Sequence, residues 1–207
     1  MTGPVRRSPL AHREAVEAPD GLLTLAERPF DAKVVLRVDP SVAGDKVVEA
    51  LGLEWPAPVR FTAADDVRMA WQSPDEFLLI GREGAELDLH RKLSEALAGV
   101  HHQAVDVTDY HTTIAIAGPK ARELLMKLST FDFHPRSFAA GQVVGTTFGH
   151  AQGWLMQTVA DDAEDGPAFD LIVRWSMADY LFCLLAQAGR EWGMPAQTPV
   201  GGEKLVV

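Results

Sequence analysis

Short runs in which apolar and polar residues alternate are separated along this chain by stretches with apolar positions at helical spacing. The clearest case is residues 105–128. Over residues 112–117 the period is two, with Ile114 and Ile116 on one face and smaller side chains on the other, as a half-buried strand requires. Gly118 lets the chain turn, and Pro119 suits a first helical position, where no N–H is needed. Ala121, Leu124, Leu125 and Leu128 then recur at i, i+3, i+4 and i+7, one apolar stripe on a helix. The stretch reads as strand, punctuation, helix. It carries no reaction centre and acts as a structural hub between two similar regions.

Upstream of the hub, residues 33–38 predict a strand and residues 42–51 a helix with Val47, Val48 and Leu51 inward and Gly52 as its cap. Strands follow at 59–62 and 67–72 around a polar turn, then the turn Ser73-Pro74-Asp75-Glu76 and a buried strand at 77–81. Residues 87–97 form a helix with Leu89, Leu93, Ala96 and Leu97 inward, and residues 101–107 a strand leading into the hub. Downstream, residues 129–141 read as a loop whose Phe131, Phe133 and Phe138 fold back onto the core. Strands at 142–149 and 154–160 are expected to join near Gln152-Gly153. An acidic turn fills 161–167, a strand 169–175, and Ser176 is placed as N-cap of a last helix that closes at Gly189.

The order strand-helix-strand-strand-strand-helix thus occurs twice, over residues 33–97 and 112–188. It predicts an α+β fold of two pseudo-repeated half-domains within a domain spanning 31–192, each sheet covered by helices. Residues 1–30, rich in Pro, Ala and charge, read as a loosely attached tail or as an arm lying on a partner subunit; residues 193–207 read as an irregular tail. In the last helix Met177, Tyr180, Leu181, Phe182, Cys183, Leu184, Leu185 and Ala188 are apolar on nearly every face. Such a helix must be enclosed, either by the two half-domains or by another chain.

Composition narrows the function. With 19 basic and 29 acidic residues among 207, the net charge of −10 argues against non-specific nucleic-acid binding and against attraction to anionic membranes. A single cysteine, Cys183, excludes an internal disulfide and a multi-cysteine metal site, which suits a reducing, cytoplasmic setting. No apolar run reaches the roughly 18 residues of a membrane span, and the N-terminus lacks the apolar core of a signal peptide. The seven histidines show no metal-ligand spacing, and His101-His102 point to opposite faces of a strand. The acidic turn Asp161-Asp162-Ala163-Glu164-Asp165-Gly166 lacks the order of a calcium loop and reads as a solvated hairpin turn. Asp75 and Glu76 read as turn residues and Cys183 as inert packing. No nucleophile elbow, glycine-rich dinucleotide loop or P-loop is present. The residues therefore assign no catalytic, cofactor-binding or metal site.

The run Val-Asp-Val-Thr-Asp-Tyr-His-Thr-Thr-Ile-Ala-Ile-Ala-Gly-Pro-Lys-Ala-Arg-Glu-Leu-Leu resembles the strand–Gly-Pro–helix signature of the folate-binding aminomethyltransferase fold, that of the glycine-cleavage T-protein. More closely, the chain resembles the gamma subunits of heterotetrameric sarcosine oxidase. The resemblance is carried by Arg7-Ser8-Pro9-Leu10, by Trp71-Gln72-Ser73-Pro74-Asp75-Glu76-Phe77-Leu78-Leu79 and by the hub. Thr147-Phe148-Gly149-His150-Ala151 and Phe169-Asp170-Leu171-Ile172-Val173-Arg174-Trp175-Ser176 complete it, over roughly residues 5–192. It implies a T-protein-like fold without the C-terminal barrel, in an assembly with alpha, beta and delta subunits. That assembly oxidatively demethylates sarcosine to glycine, yielding hydrogen peroxide, and methylenetetrahydrofolate when tetrahydrofolate is present. It also implies that FAD, FMN, NAD, tetrahydrofolate and zinc belong to the other subunits, and that this chain is non-catalytic. No catalytic aspartate can be carried over by motif. A stand-alone folate-binding or aminomethyl-transferring enzyme, or a scaffold or assembly factor of the same fold, are the alternatives.

Overall fold

The computed structural model describes residues 6–200. The outermost residues of the expected arm and tail, 1–5 and 201–207, lie outside the described residues. The strands are β1 (Val16–Glu17), β2 (Thr24–Arg28), β3 (Ala32–Val38), β4 (Phe61–Ala64), β5 (Val67–Ser73), β6 (Glu76–Gly81), β7 (His102–Asp106), β8 (His111–Ala117), β9 (Val143–Phe148), β10 (Ala151–Val159) and β11 (Ala168–Arg174). The helices are α1 (Pro40–Leu51), α2 (Glu86–Ala96), α3 (Ala121–Met126) and α4 (Ala178–Ala188).

Two sheets form, in the orders β1-β2-β8-β11-β10-β9 and β4-β5-β6-β3-β7. All their pairings are antiparallel. The expected repeat is present: β3-α1-β4-β5-β6-α2 is matched by β8-α3-β9-β10-β11-α4. The strand orders match too, β4-β5-β6-β3 against β9-β10-β11-β8. What the sequence pattern hid is β2 itself and the partner of the expected strand β7. β2 runs almost directly into β3 yet pairs with β8, Leu25 opposite Ile116. β7 runs almost directly into β8 yet pairs with β3, Val35 opposite Val105. Each repeat lends its leading strand to the other.

The alternation of side chains then builds four layers. Val34, Leu36, Phe77 and Leu79 pack with Val47, Leu89 and Leu93 of α1 and α2. Ile114, Ile116, Phe169 and Leu171 pack with Leu124, Leu125, Leu181 and Phe182 of α3 and α4. The opposite faces of the sheets meet each other through Ala70, Leu78 and Ile80 against Val143, Met156 and Ile172. Strands buried on both faces explain why Phe77-Leu78-Leu79-Ile80 and Leu171-Ile172-Val173 are continuously apolar. At the hub, Gly118 has φ +116° and a Cβ there would lie 2.6 Å from the Leu22 carbonyl oxygen, so the turn into α3 requires glycine.

Several expectations are corrected. Residues 1–30 are not wholly an arm outside the domain: β2 is a sheet strand, and Leu10, Leu23 and Leu25 are buried at 1%, 0% and 0% exposure. The run Thr-Leu-Ala-Glu-Arg offers only one large apolar side chain, too faint an alternation to read. The β9–β10 turn lies at Gly149-His150, ahead of Gln152-Gly153. Gly153 is inside β10 for packing, since a Cβ there would come within 2.9 Å of Leu171. Ser176 sits in a 3₁₀ turn, Trp175–Met177, and caps nothing; Met177 holds the N-cap position.

Within this chain the cover of α4 differs from the expected enclosure by the two half-domains. Its inner side packs on the sheet, and its outer side is covered by the chain's own terminal segments. Arg13 donates to Asp179 Oδ1 (2.6 Å), to Gln197 (2.8 Å), to the Thr198 carbonyl (2.9 Å) and to Cys183 Sγ (3.0 Å). Asp179 also accepts the Val200 N–H at 3.0 Å and lies 2.9 Å from His12 Nε2. Cys183 is buried beneath this clasp, and burial raises its thiol pKa.

The aromatic loop after α3 does fold back, with Phe133 and Phe138 buried edge to face. Buried Arg122 holds it by donating to the Phe133 and Phe138 carbonyls. Its other N–H groups reach Asp161 (2.5 and 2.6 Å) and Gln157 (2.7 Å). Asp161 opens the exposed acidic turn that was expected and in addition clamps Arg122.

Candidate functional site

The layer between the sheets has three zones, each set by stepping two residues along the same strands. At one end Asp170, on β11, is 2% exposed and accepts from Arg28 (2.6 Å) and Arg68 (2.5 Å). Lys33, on β3, is fully buried beside them and donates to the Asp31 carbonyl at 3.0 Å. Burial pushes its pKa down to about 8. The middle zone is the dry cluster of Ile172, Leu78, Ala70 and Met156. Two residues further on, the same strands supply Arg174, Glu76, Gln72 and Trp154, and here the layer opens into a cleft of about 690 Å³.

The cleft's remaining lining includes Val35, Val107, Tyr110, His111, Gly145, Thr146, Thr147 and Gln152. Trp154 rests on Gly145, where a Cβ would lie 2.9 Å from the indole. The Arg174 guanidinium sits 5.4 Å over the Tyr110 ring, and Tyr110 and His111 meet edge to face at 4.6 Å. Burial first, then the positive charges of Lys33 and Arg174, lower the His111 pKa to about 4. The imidazole is thus neutral at physiological pH, and its buried Nδ1 has no hydrogen-bond partner. Glu76 stands 3.5 Å from Arg37.

This arrangement offers a ligand one guanidinium, one carboxylate, a neutral imidazole and the hydroxyls of Thr146, Thr147 and Tyr110. Among the described residues no group of three or more His, Cys, Asp or Glu is placed to hold a metal. The residues weighed in the sequence are scattered. His12 joins the α4 clasp, His101 and His102 line a separate surface groove with Arg37, and Asp75 pairs with Arg37 at 2.8 Å. Of the seven histidines only His111 lines the cleft. The cleft went unread because its residues come singly from many strands and form no local motif. The one available signal was polar interruption of otherwise apolar strand faces, as at Arg174 after Ile172.

Two stacked antiparallel sheets with outer helices define the T-protein type of domain. The structure superposes on the glycine cleavage aminomethyltransferase T of Bartonella henselae with a TM-score of 0.60 over 80% of this chain and 46% of that one, at 13% identity, a likeness of fold alone. It superposes more closely on a chain of the heterotetrameric sarcosine oxidase from Corynebacterium sp. U-96, with a TM-score of 0.79 at 26% identity, covering 93% of this chain and 98% of that one. In sequence it is 33% identical over 160 residues to the sarcosine oxidase subunit gamma of Arthrobacter sp, spanning 74% of this chain and 78% of the relative. The family model for the sarcosine oxidase gamma subunit matches residues 36–191, and the chain belongs to that family.

Proposed function

We propose that this chain is the gamma subunit of a heterotetrameric sarcosine oxidase and performs no chemical step itself. The observation that carries this reading is the family match over residues 36–191 together with a fold that fills 98% of a chain in such an assembly. No serine or cysteine lines the cleft and its imidazole is held neutral by burial, which suits a structural role. In this reading alpha, beta and delta subunits are its partners. They hold the FAD, FMN, NAD, tetrahydrofolate and zinc, and the complex demethylates sarcosine in the cytoplasm. Among the described residues no helix is long and apolar enough to cross a membrane.

Co-purification of the tagged full-length chain from its native cell tests this. The expected product is a larger complex with flavin absorbance and sarcosine-dependent peroxide formation. A chain that purifies alone and colourless overturns the reading.

A further inference from the structure

The inter-sheet cleft has features that packing alone does not demand. Its walls come from opposite sheets, Val35, Gln72 and Glu76 facing Gly145, Trp154, Ile172 and Arg174. Packed sheets stand about 10 Å apart. Where the large apolar side chains of the middle zone stop, the remaining gap is a slot that suits a flat group. Trp154 is held against its own sheet by the missing side chain of Gly145, so its indole lines the slot without crossing it. Val35, Val107 and Ile172 give the rest of the floor an apolar character.

Two charges of opposite sign line the cleft, Glu76 and Arg174. Burial, with a smaller positive contribution from Lys33 and Arg174, keeps the His111 imidazole uncharged. Among the described residues Arg174 has no ion-pair partner; the salt bridges of the neighbouring Arg37 instead engage Asp75 and Glu76. A lone planar guanidinium with no lysine cluster lining the cleft beside it matches one carboxylate in bidentate fashion. The buried Nδ1 of His111 lacks a partner, a state that costs roughly 1–3 kcal/mol and that a polar ring substituent would relieve. A volume of about 690 Å³ lies within the usual ~300–1,000 Å³ of small-molecule sites.

We propose that this cleft binds a flat aromatic monocarboxylate, with the ring in the slot against Trp154 and the carboxylate on Arg174. The ring gains apolar contact from both sheets, and Tyr110, stacked on Arg174, steadies the guanidinium in its binding position. His111, neutral throughout the physiological range, adds a hydrogen bond without adding charge.

The test is equilibrium dialysis of the whole chain, in whatever assembly it purifies with, against naphthoate and against naphthylmethanol as the uncharged isostere. Flavin content of the same samples reports on the subunit reading separately. Naphthoate is expected to bind more tightly than the alcohol. Arg174→Gln is expected to weaken naphthoate by at least about tenfold while leaving the alcohol unchanged. Thr147→Trp, at an exposed lining position, is expected to block both. The two variants differ at the surface, and unchanged thermal unfolding checks that they fold. Absence of saturable, Thr147→Trp-sensitive naphthoate binding, or equal affinity of wild type and Arg174→Gln, overturns the proposal.

Discussion

At the scale of single residues, the buried charges set the sharpest constraints. Arg122 satisfies two loop carbonyls, Gln157 and Asp161 at once. Lysine has neither the fork nor the number of donors for this. Both Arg122→Met and Arg122→Lys should therefore destabilise the chain, Arg122→Met by about 3 kcal/mol because the Phe133 and Phe138 carbonyls and Gln157 lose their buried donor. Urea denaturation midpoints measure this. The Arg122 pair also holds the Asp161 pKa below its ordinary value. Its stabilisation is present above that ordinary value and is lost as pH falls through the lowered one.

Lys33 and His111 have a linkage of the same sign over other pH ranges. Each is a base whose folded pKa is depressed, so the unfolded chain holds a proton that the folded chain lacks. Stability should climb with pH from about 4 to 6.5 through His111 and from about 8 to 10.5 through Lys33, by up to about 3 kcal/mol each. Stability measured against pH should lose the upper climb in Lys33→Met and the lower one in His111→Asn.

At the scale of elements, α4 depends on residues far from it in sequence. Asp179 gathers Arg13, His12 and the Val200 N–H. Asp179→Ala strips the buried Arg13 of its counter-charge, an expected loss of about 3 kcal/mol. It should also loosen both terminal segments, so that Cys183 reacts faster with a thiol reagent than in the wild type. Equal reaction rates would show that the clasp does not cover the thiol.

The same elements show what could be read beforehand. β3, β8 and α2 were legible because their apolar positions keep one period over several turns or pleats, and β6 because its apolar run is short and unbroken. The β2 strand was not, because its neighbours Glu27 and Arg28 point to polar partners, Ser8 and Thr112 for one and Asp170 for the other. A strand facing a polar layer loses the contrast on which alternation depends. The all-round apolarity of α4 was legible, but its cover was not, since Arg13 and Asp179 look like ordinary surface charges until the fold brings them together. For the cleft, the family resemblance supplied nothing, and only the layered geometry shows that Trp154, His111 and Arg174 share a space.

At the scale of the whole molecule, the exchanged strands decide what counts as a folding unit. Two similar halves invite division between α2 and β7, but that cut leaves each sheet without its exchanged strand, β7 for one and β2 for the other. The sheets are further stitched where Arg60 bridges Gln142 and where Phe61 and Val143 bond across to Gly141 and Val59. Fragments 1–99 and 100–207, which separate β7 from β3 and β2 from β8, should be insoluble or unfolded by circular dichroism when expressed apart, and expressed together they should yield a soluble complex. A folded fragment on its own would contradict the interdependence of the halves.

The exchange also sets the order of events at the ribosome. Thr24 meets Ala117 across a separation of 93 residues, which at ordinary elongation rates is about 5–20 s of synthesis. During that interval β2 has left the tunnel and has no sheet to join, while β3 can already assemble with β5, β6 and finally β7. The first apolar strand of the chain is thus the one that waits longest, exposed to whatever chaperone or partner subunit is nearby. Synonymous changes that slow translation between β3 and β8 would lengthen that exposure without altering a single residue.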